Sequence, residues 1–253
     1  MKYQTLRPVA FVGPAAAETI QKLYPLEQRF LPIEVPANSR LPAVLAGLEP
    51  LGFMGAVISG SAQFEAASLV NRRDRNVDRD GVVDAVVVHG GTFGGHTLED
   101  ALINTLEFEG FRGYGAHAVI LGGGSVAMAA TQLARQGFKT ITIAAPDRPA
   151  AEKLARLLPA GVTSHPLTFE EPRLHDVLER ADLIVHCSSD ARLNPALLQP
   201  YHTLLEACEE TNLAVALERT GGNVIPYPKV AAHALAAQLE FVTAIKYDPK
   251  LFL

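Results

Sequence analysis

Cysteine is nearly absent from this chain. Cys187 and Cys208 are its only two, and they do not form a C-x-x-C pair. Neither a disulfide framework nor a cysteine zinc site is available to hold the fold. None of the eight histidines pairs as H-x-x-x-H, so no metal site is expected. Positive charge is scarce too: 22 Lys and Arg against 27 Asp and Glu give a net charge of −5. That argues against a nucleic-acid partner, because phosphate-tracking surfaces concentrate Lys and Arg. The one basic cluster, Arg72-Arg73-Asp-Arg75, reads as a solvated turn. No apolar run is long enough to span a bilayer, and Met1–Pro8 lacks the apolar core of a signal peptide. A cytoplasmic location, with no membrane or nucleic-acid partner, is the resulting expectation. No internal repeat or low-complexity segment stands out.

What remains is core material, with 48 % hydrophobic and 19 % charged residues in a 253-residue chain. Short apolar runs alternate with helical patterns throughout. Strands are expected at 9–12, 30–35, 55–58 and 82–89, with helices ending near Leu23 and over 41–51 and 98–108. Further on, strands are expected at 118–121, 140–144, 162–166, 182–186 and 214–218. Helices are expected over 150–158, 173–181, 195–211 and 230–245. Alternation at this spacing predicts an α/β protein with largely parallel sheets. The last helix has no strand after it in its own half, so packing back on the first half is expected.

The most specific motif is Ala118-Val-Ile-Leu-Gly122-Gly123-Gly124-Ser125-Val126-Ala127. A β run feeds a glycine turn and then an Ala-rich helical pattern. This is the arrangement that cradles a dinucleotide pyrophosphate. Gly122 permits the turn, Gly124 admits the phosphates, and Ala127 keeps helix and sheet close. The helix start adds N–H donors and partial positive charge. A purely structural βαβ turn is the alternative.

At this point the whole chain resembles the shikimate and quinate dehydrogenases. Gly122–Ala129 is similar to that family's glycine loop. Ala181-Asp-Leu-Ile-Val-His186-Cys-Ser188 is similar to its A-D-L-I-V-N-A-T segment, and Gln238 with Phe241 to its C-terminal helix. The resemblance implies a two-domain α/β fold. Residues 1–101 with 230–253 would form a substrate domain, and 102–229 a doubly wound Rossmann-type domain for NADP or NAD. It also implies a small-molecule substrate, of the polyhydroxylated alicyclic acid kind, and a place in aromatic amino acid biosynthesis. A monomer or homodimer is expected.

The substrate motifs depart from the family. Across the third strand, Gln63 stands where the family's catalytic lysine belongs, Ser59 replaces its Thr and Val57 its Asn. Asp84 replaces a substrate-binding Asn, and Glu99 the catalytic Asp. The N-terminal serine pair has no counterpart in Gly13–Glu18. Oxidising a secondary alcohol needs a proton acceptor, and an amide cannot serve as one although it can hydrogen-bond. Gln63 is therefore expected to position substrate. Ser59, Asp84 and Gln238 would line the pocket, and Glu99 or His96 would handle the proton. A competing reading of Thr97-Leu-Glu99-Asp100 is a helix start, with Thr97 as N-cap and acids favoured by the helix dipole.

Cofactor choice turns on Asp147 and Arg148, where an acid suits the NAD ribose and Arg the NADP phosphate; NADP is expected, with NAD close behind. His186 and Ser188 are candidate cofactor contacts, although a core role for His186 stands equally. Asn76–Gly81 resembles half a calcium loop, but position twelve is Val87, so a solvated turn is expected. A dinucleotide-binding relative without catalysis, serving as sensor or partner module, is the alternative to an enzyme.

Overall fold

A computed structural model describes residues 6–23, 29–36, 38–191, 193–209 and 211–253. The first five residues, on which the leader reading partly rests, lie outside these described residues. The chain divides into two compact units, one running up to Leu98 and including Ala234–Leu253, the other Glu99–His233. The chain passes from one unit to the other twice, at the start of the helix Leu98–Phe108 and within the long helix Tyr227–Thr243.

The first unit holds a six-stranded mixed sheet of β1 (Pro8–Val12), β2 (Leu31–Glu34), β3 (Gly55–Ile58), β4 (Arg72–Arg73), β5 (Ala85–Val88) and β6 (Thr92–Gly95). Their spatial order is β2-β1-β3-β5-β6-β4; β1, β2 and β3 run parallel, while β5 is antiparallel to β3 and to β6. Helices α1 (Ala16–Gln21), α2 (Leu41–Leu48), α3 (Ala62–Leu69) and α4 (Arg75–Asp80) belong to this unit. Leu41, Leu45 and Leu48 of α2 pack with Ala10, Ala56, Ile58 and Val86 of the sheet in one core.

The second unit takes up α5 (Leu98–Phe108) from its second residue and holds β7 (His117–Leu121), α6 (Gly124–Ala130), β8 (Thr140–Ala145), α7 (Arg148–Ala155), β9 (Thr163–Thr168) and α8 (Arg173–Leu178). It continues through β10 (Leu183–His186), β11 (Thr203–Glu206), α9 (Asn212–Thr220) and β12 (Asn223–Ile225) into α10 (Tyr227–Thr243), whose residues from Ala234 on belong to the first unit. All six strands are parallel, in the order β9-β8-β7-β10-β11-β12. This is the 3-2-1-4-5-6 order of a doubly wound dinucleotide-binding sheet. The order reverses between β7 and β10.

Four expectations need correction. Residues 195–211 do not form one helix: a 3-10 turn at Pro195–Leu197 precedes strand β11. Leu204 and Leu205 are both fully buried, and a strand covered on both faces loses the alternation that distinguishes it from a helix. Residues 214–218 are helical rather than extended, within α9, whose Thr211 N-cap, buried Leu213 and Leu217, and left-handed Gly221 are ordinary helix signals. Asn76–Gly81 is no solvated turn but mostly α4, capped by Asp74 through the Val77 N–H at 2.7 Å and closed by left-handed Gly81. Within the basic cluster, Arg72 and Arg73 form strand β4 rather than a turn.

Strand β6 was not anticipated. Its glycines fit because neighbours occupy their side-chain space: a Cβ on Gly95 would lie 2.5 Å from the Phe241 ring.

Two glycines should respond oppositely to alanine. A Cβ at Gly55 would stand 1.9 Å from the Val86 carbonyl oxygen, whereas one at Gly47, inside α2, meets nothing nearer than 3.6 Å. Chemical denaturation should show Gly55→Ala destabilised by about 3 kcal/mol. Gly47→Ala should be stabilised by about 0.5–1 kcal/mol. Equal effects would contradict this packing.

Candidate dinucleotide and substrate sites

The glycine loop lies where β7 ends, at the reversal of strand order. Gly122 has φ +123°, and a Cβ there would meet the Ser188 Cβ at 2.8 Å and the Ser188 nitrogen at 2.9 Å. The turns after β7 and β10 thus touch through a residue that must be glycine. The Gly122 N–H also donates to the Ala144 carbonyl of β8 at 2.9 Å. Gly123 and Gly124 have open space where a Cβ would be, and no side chain caps the start of α6. Ser125 and Val126 are half-buried on its first turn. A glycine turn at the carboxyl end of β7, with backbone exposed and side chains withheld, fits a pyrophosphate.

At the end of β8, Asp147 caps α7 by accepting the Ala150 N–H at 2.7 Å. Arg148 makes a two-pronged contact to Glu171 at 2.8 and 2.9 Å and donates to the Pro166 carbonyl. Glu171 has its carboxyl held below the usual range by the Thr168 N–H and by Arg148. At the end of β10, His186 is fully buried. Its Nε2 lies 3.4 Å from the Ala191 carbonyl and its Nδ1 3.1 Å from the Cys208 Sγ. Burial lowers the His186 pKa and pushes the Cys208 thiol up to about 11. The pair is therefore a neutral imidazole accepting from a thiol. Sequence reading missed Cys208, because a separation of 22 positions from His186 carries no spacing signal.

In the first unit, Ser59 follows β3 and donates through Oγ to the Val12 carbonyl at 3.2 Å. Gln63, just beyond, turns its Nε2 to the Ile58 carbonyl at 3.0 Å. A cavity of about 470 Å3 opens beyond the carboxyl ends of β1 and β3, lined in part by Gly13, Pro14, Arg40, Ser59, Ser61 and Glu65. Gln63 and Gln238 do not line it. Gln238 sits half-buried on α10.

Asp84 is buried, and both its oxygens face the start of α5. They accept from the Thr97 N–H at 2.9 and 3.0 Å, the Leu98 N–H at 3.0 Å and the Thr97 hydroxyl at 3.1 Å. The carboxylate therefore caps this helix from another part of the chain, and Thr97 donates where an N-cap would accept. Burial raises the Asp84 pKa against the pull of His96 and these N–H groups. His96, buried beside it, places Nδ1 2.8 Å from Asp80, while its Nε2 has no hydrogen-bond partner among the described residues. Asp80 is held in turn by two 2.6 Å contacts from Arg79. Burial alone would raise Asp80 and lower His96, but the Arg79 and His96 contacts carry Asp80 down, and Asp80 with Asp84 carries His96 up. Glu99, 1 % exposed, is paired with Arg135 inside the second unit. Thus Asp84 and His96 are brought together, whereas Gln63 stays outside the cavity that Ser59 lines.

Known proteins agree with this architecture. Residues 112–215 match the family model described as putative NAD(P)-binding. Shikimate dehydrogenase (NADP(+)) of Moorella thermoacetica is 29 % identical over 153 residues, covering 59 % of this chain and 52 % of that protein. The match therefore spans about half of that relative's length. Shikimate 5-dehydrogenase of Listeria monocytogenes, solved with shikimate and NAD, superposes with a TM-score of 0.84 at 15 % identity, over 100 % of this chain and 96 % of that one. The chain is thus similar in sequence to a shikimate dehydrogenase over part of its length and shares the fold of another. The 5-ketofructose reductase of Gluconobacter sp. strain CHM43 shares the fold with a TM-score of 0.81 at 17 % identity, over 99 % and 97 % of the two chains.

The upward shift of His96 fixes a sign. Its stabilising contribution is complete below the unfolded value of about 6.5 and is lost as pH rises through the higher folded value. Denaturation midpoints of the parent should fall across that rise, and His96→Gln should flatten the slope. A parent slope unchanged in the variant would contradict the assignment. Removing the Glu99 partner by Arg135→Ala should cost about 1–3 kcal/mol, less than for a fully buried pair because Arg135 is partly exposed.

Proposed function

We propose that this protein is an NAD(P)-dependent oxidoreductase of the shikimate dehydrogenase type, acting on a small hydroxylated carboxylic acid. The observation that carries the reading is the glycine loop at the reversal point of a 3-2-1-4-5-6 sheet. Gly122, Gly123, Gly124, Ser125 and Val126 would hold the pyrophosphate, with Ser188 beside them. The nicotinamide supplies hydride exchange when bound. Ser59 and Arg40 line one cavity, so a hydroxyl and a guanidinium are at hand for an oxygenated acid where the resemblance's serine pair is missing. A small-molecule partner follows from that cavity.

A second reading draws on the acids. Asp84 is spent on the α5 start and Glu99 on Arg135, and the resemblance would put Gln63 where the family has its lysine. These features favour a dinucleotide-binding protein that turns over no shikimate. Loss of general acid–base help costs about a hundredfold or more in rate.

The test is a fluorescence titration with NADPH and NADH, followed by absorbance assays with shikimate and quinate. Gly124→Ala should weaken NADPH binding tenfold or more. Its left-handed backbone costs about 1–2 kcal/mol, but its Cβ meets no protein atom. Cofactor binding unchanged in this variant would overturn the loop assignment. Turnover in the parent supports the enzyme, while binding without turnover supports the second reading.

The Arg148–Glu171 pair is partly exposed and so costs little to open. Arg148→Gln should therefore weaken NADPH more than NADH. Equal losses would place the 2′-phosphate elsewhere.

A further inference from the structure

One face of the second sheet changes character along its length. The parallel register sets His117 beside Thr140, Val119 beside Thr142 beside His165, and Leu121 beside Ala144 beside Leu167. Alternate residues share a face, so these three rows stack on the same side. The carboxyl-end row is apolar: Leu121, Ala144 and Leu167 pack with Leu174 and Leu178 of α8. The amino-end rows carry two imidazoles and two threonine hydroxyls, and Thr142 is 1 % exposed.

Over these rows lies a cavity of about 270 Å3, to which the helix side contributes Arg173, Asp176 and Arg180. Neither Arg173 nor Arg180 forms an ion pair among the described residues. The nearby Asp182 carboxylate accepts the His117 N–H at 2.8 Å. Among the described residues no group of three His, Cys, Asp or Glu is placed to hold a metal. The lining is thus rich in donors, with Asp176 as its acid.

We propose that this cavity is a second anion site, taking inorganic phosphate or the phosphate of a small monoester. Guanidinium groups suit tetrahedral oxyanions through charge-assisted, often paired hydrogen bonds. Imidazoles and hydroxyls add donors from the sheet below. The site is separate from the glycine loop: His117 starts β7 and Leu121 ends it, about 13 Å apart at strand rise. An occupant would bridge α8 to the starts of β7, β8 and β9, and would stabilise this unit by mass action.

The test uses the full chain at fixed pH and ionic strength in a phosphate-free buffer. Inorganic phosphate and glycerol 3-phosphate are titrated separately while the ring-proton resonances of His117 and His165 are followed. Both resonances should move saturably with at least one probe. Tighter glycerol 3-phosphate binding would identify a monoester, and equal binding the bare anion, each supporting the site. In an Arg173→Gln/Arg180→Gln variant, affinity should fall by about tenfold or more, the scale of lost charge-assisted contacts. Both arginines are exposed, so an unaltered circular dichroism spectrum should accompany that loss. Resonances indifferent to both probes, or affinity retained in the double variant, would overturn the proposal.

Discussion

The contact on which the second unit depends is the one between Gly122 and Ser188. Strands β7 and β10 are sheet neighbours whose connections leave on opposite sides, and the turns beyond them meet without room for a single methyl group. A side chain at Gly122 would push these turns apart and face an unfavourable left-handed backbone. Because the neighbouring Gly123 and Gly124 stay open, the space is tight within the protein and free toward a ligand. The same geometry that closes the sheet therefore prepares the phosphate cradle.

In the first unit the organising feature is buried charge. Arg79, Asp80, His96 and Asp84 form a chain of opposite signs, and Asp84 ends it on the N–H groups of Thr97 and Leu98. A carboxylate at a helix start gains from the free donors and the dipole. These acids hold together the segment leading into α5.

Much of the fold was legible where local signals agree. The Ala118–Ala127 pattern marks strand, turn and helix, and the structure places all three. Leu98–Phe108 is helical as its spacing indicates. Legibility fails where tertiary context decides. Leu204 and Leu205 read as helical because a strand buried on both faces shows no alternation. Strand β6 needs Val70, Val83 and Phe241 to fill the places of its glycine side chains. In the candidate sites, the residue types at 63, 84 and 99 were visible, but their partners were not. Arg135 lies 36 positions from Glu99, and Cys208 lies 22 from His186. No local pattern encodes such pairs.

The central claim is that a dinucleotide sits against the turns after β7 and β10. Hydrogen–deuterium exchange with and without saturating NADPH tests it directly. The account predicts slowed exchange concentrated in residues 119–128 and 185–190. Exchange unchanged there, or protection confined to other segments, would contradict it.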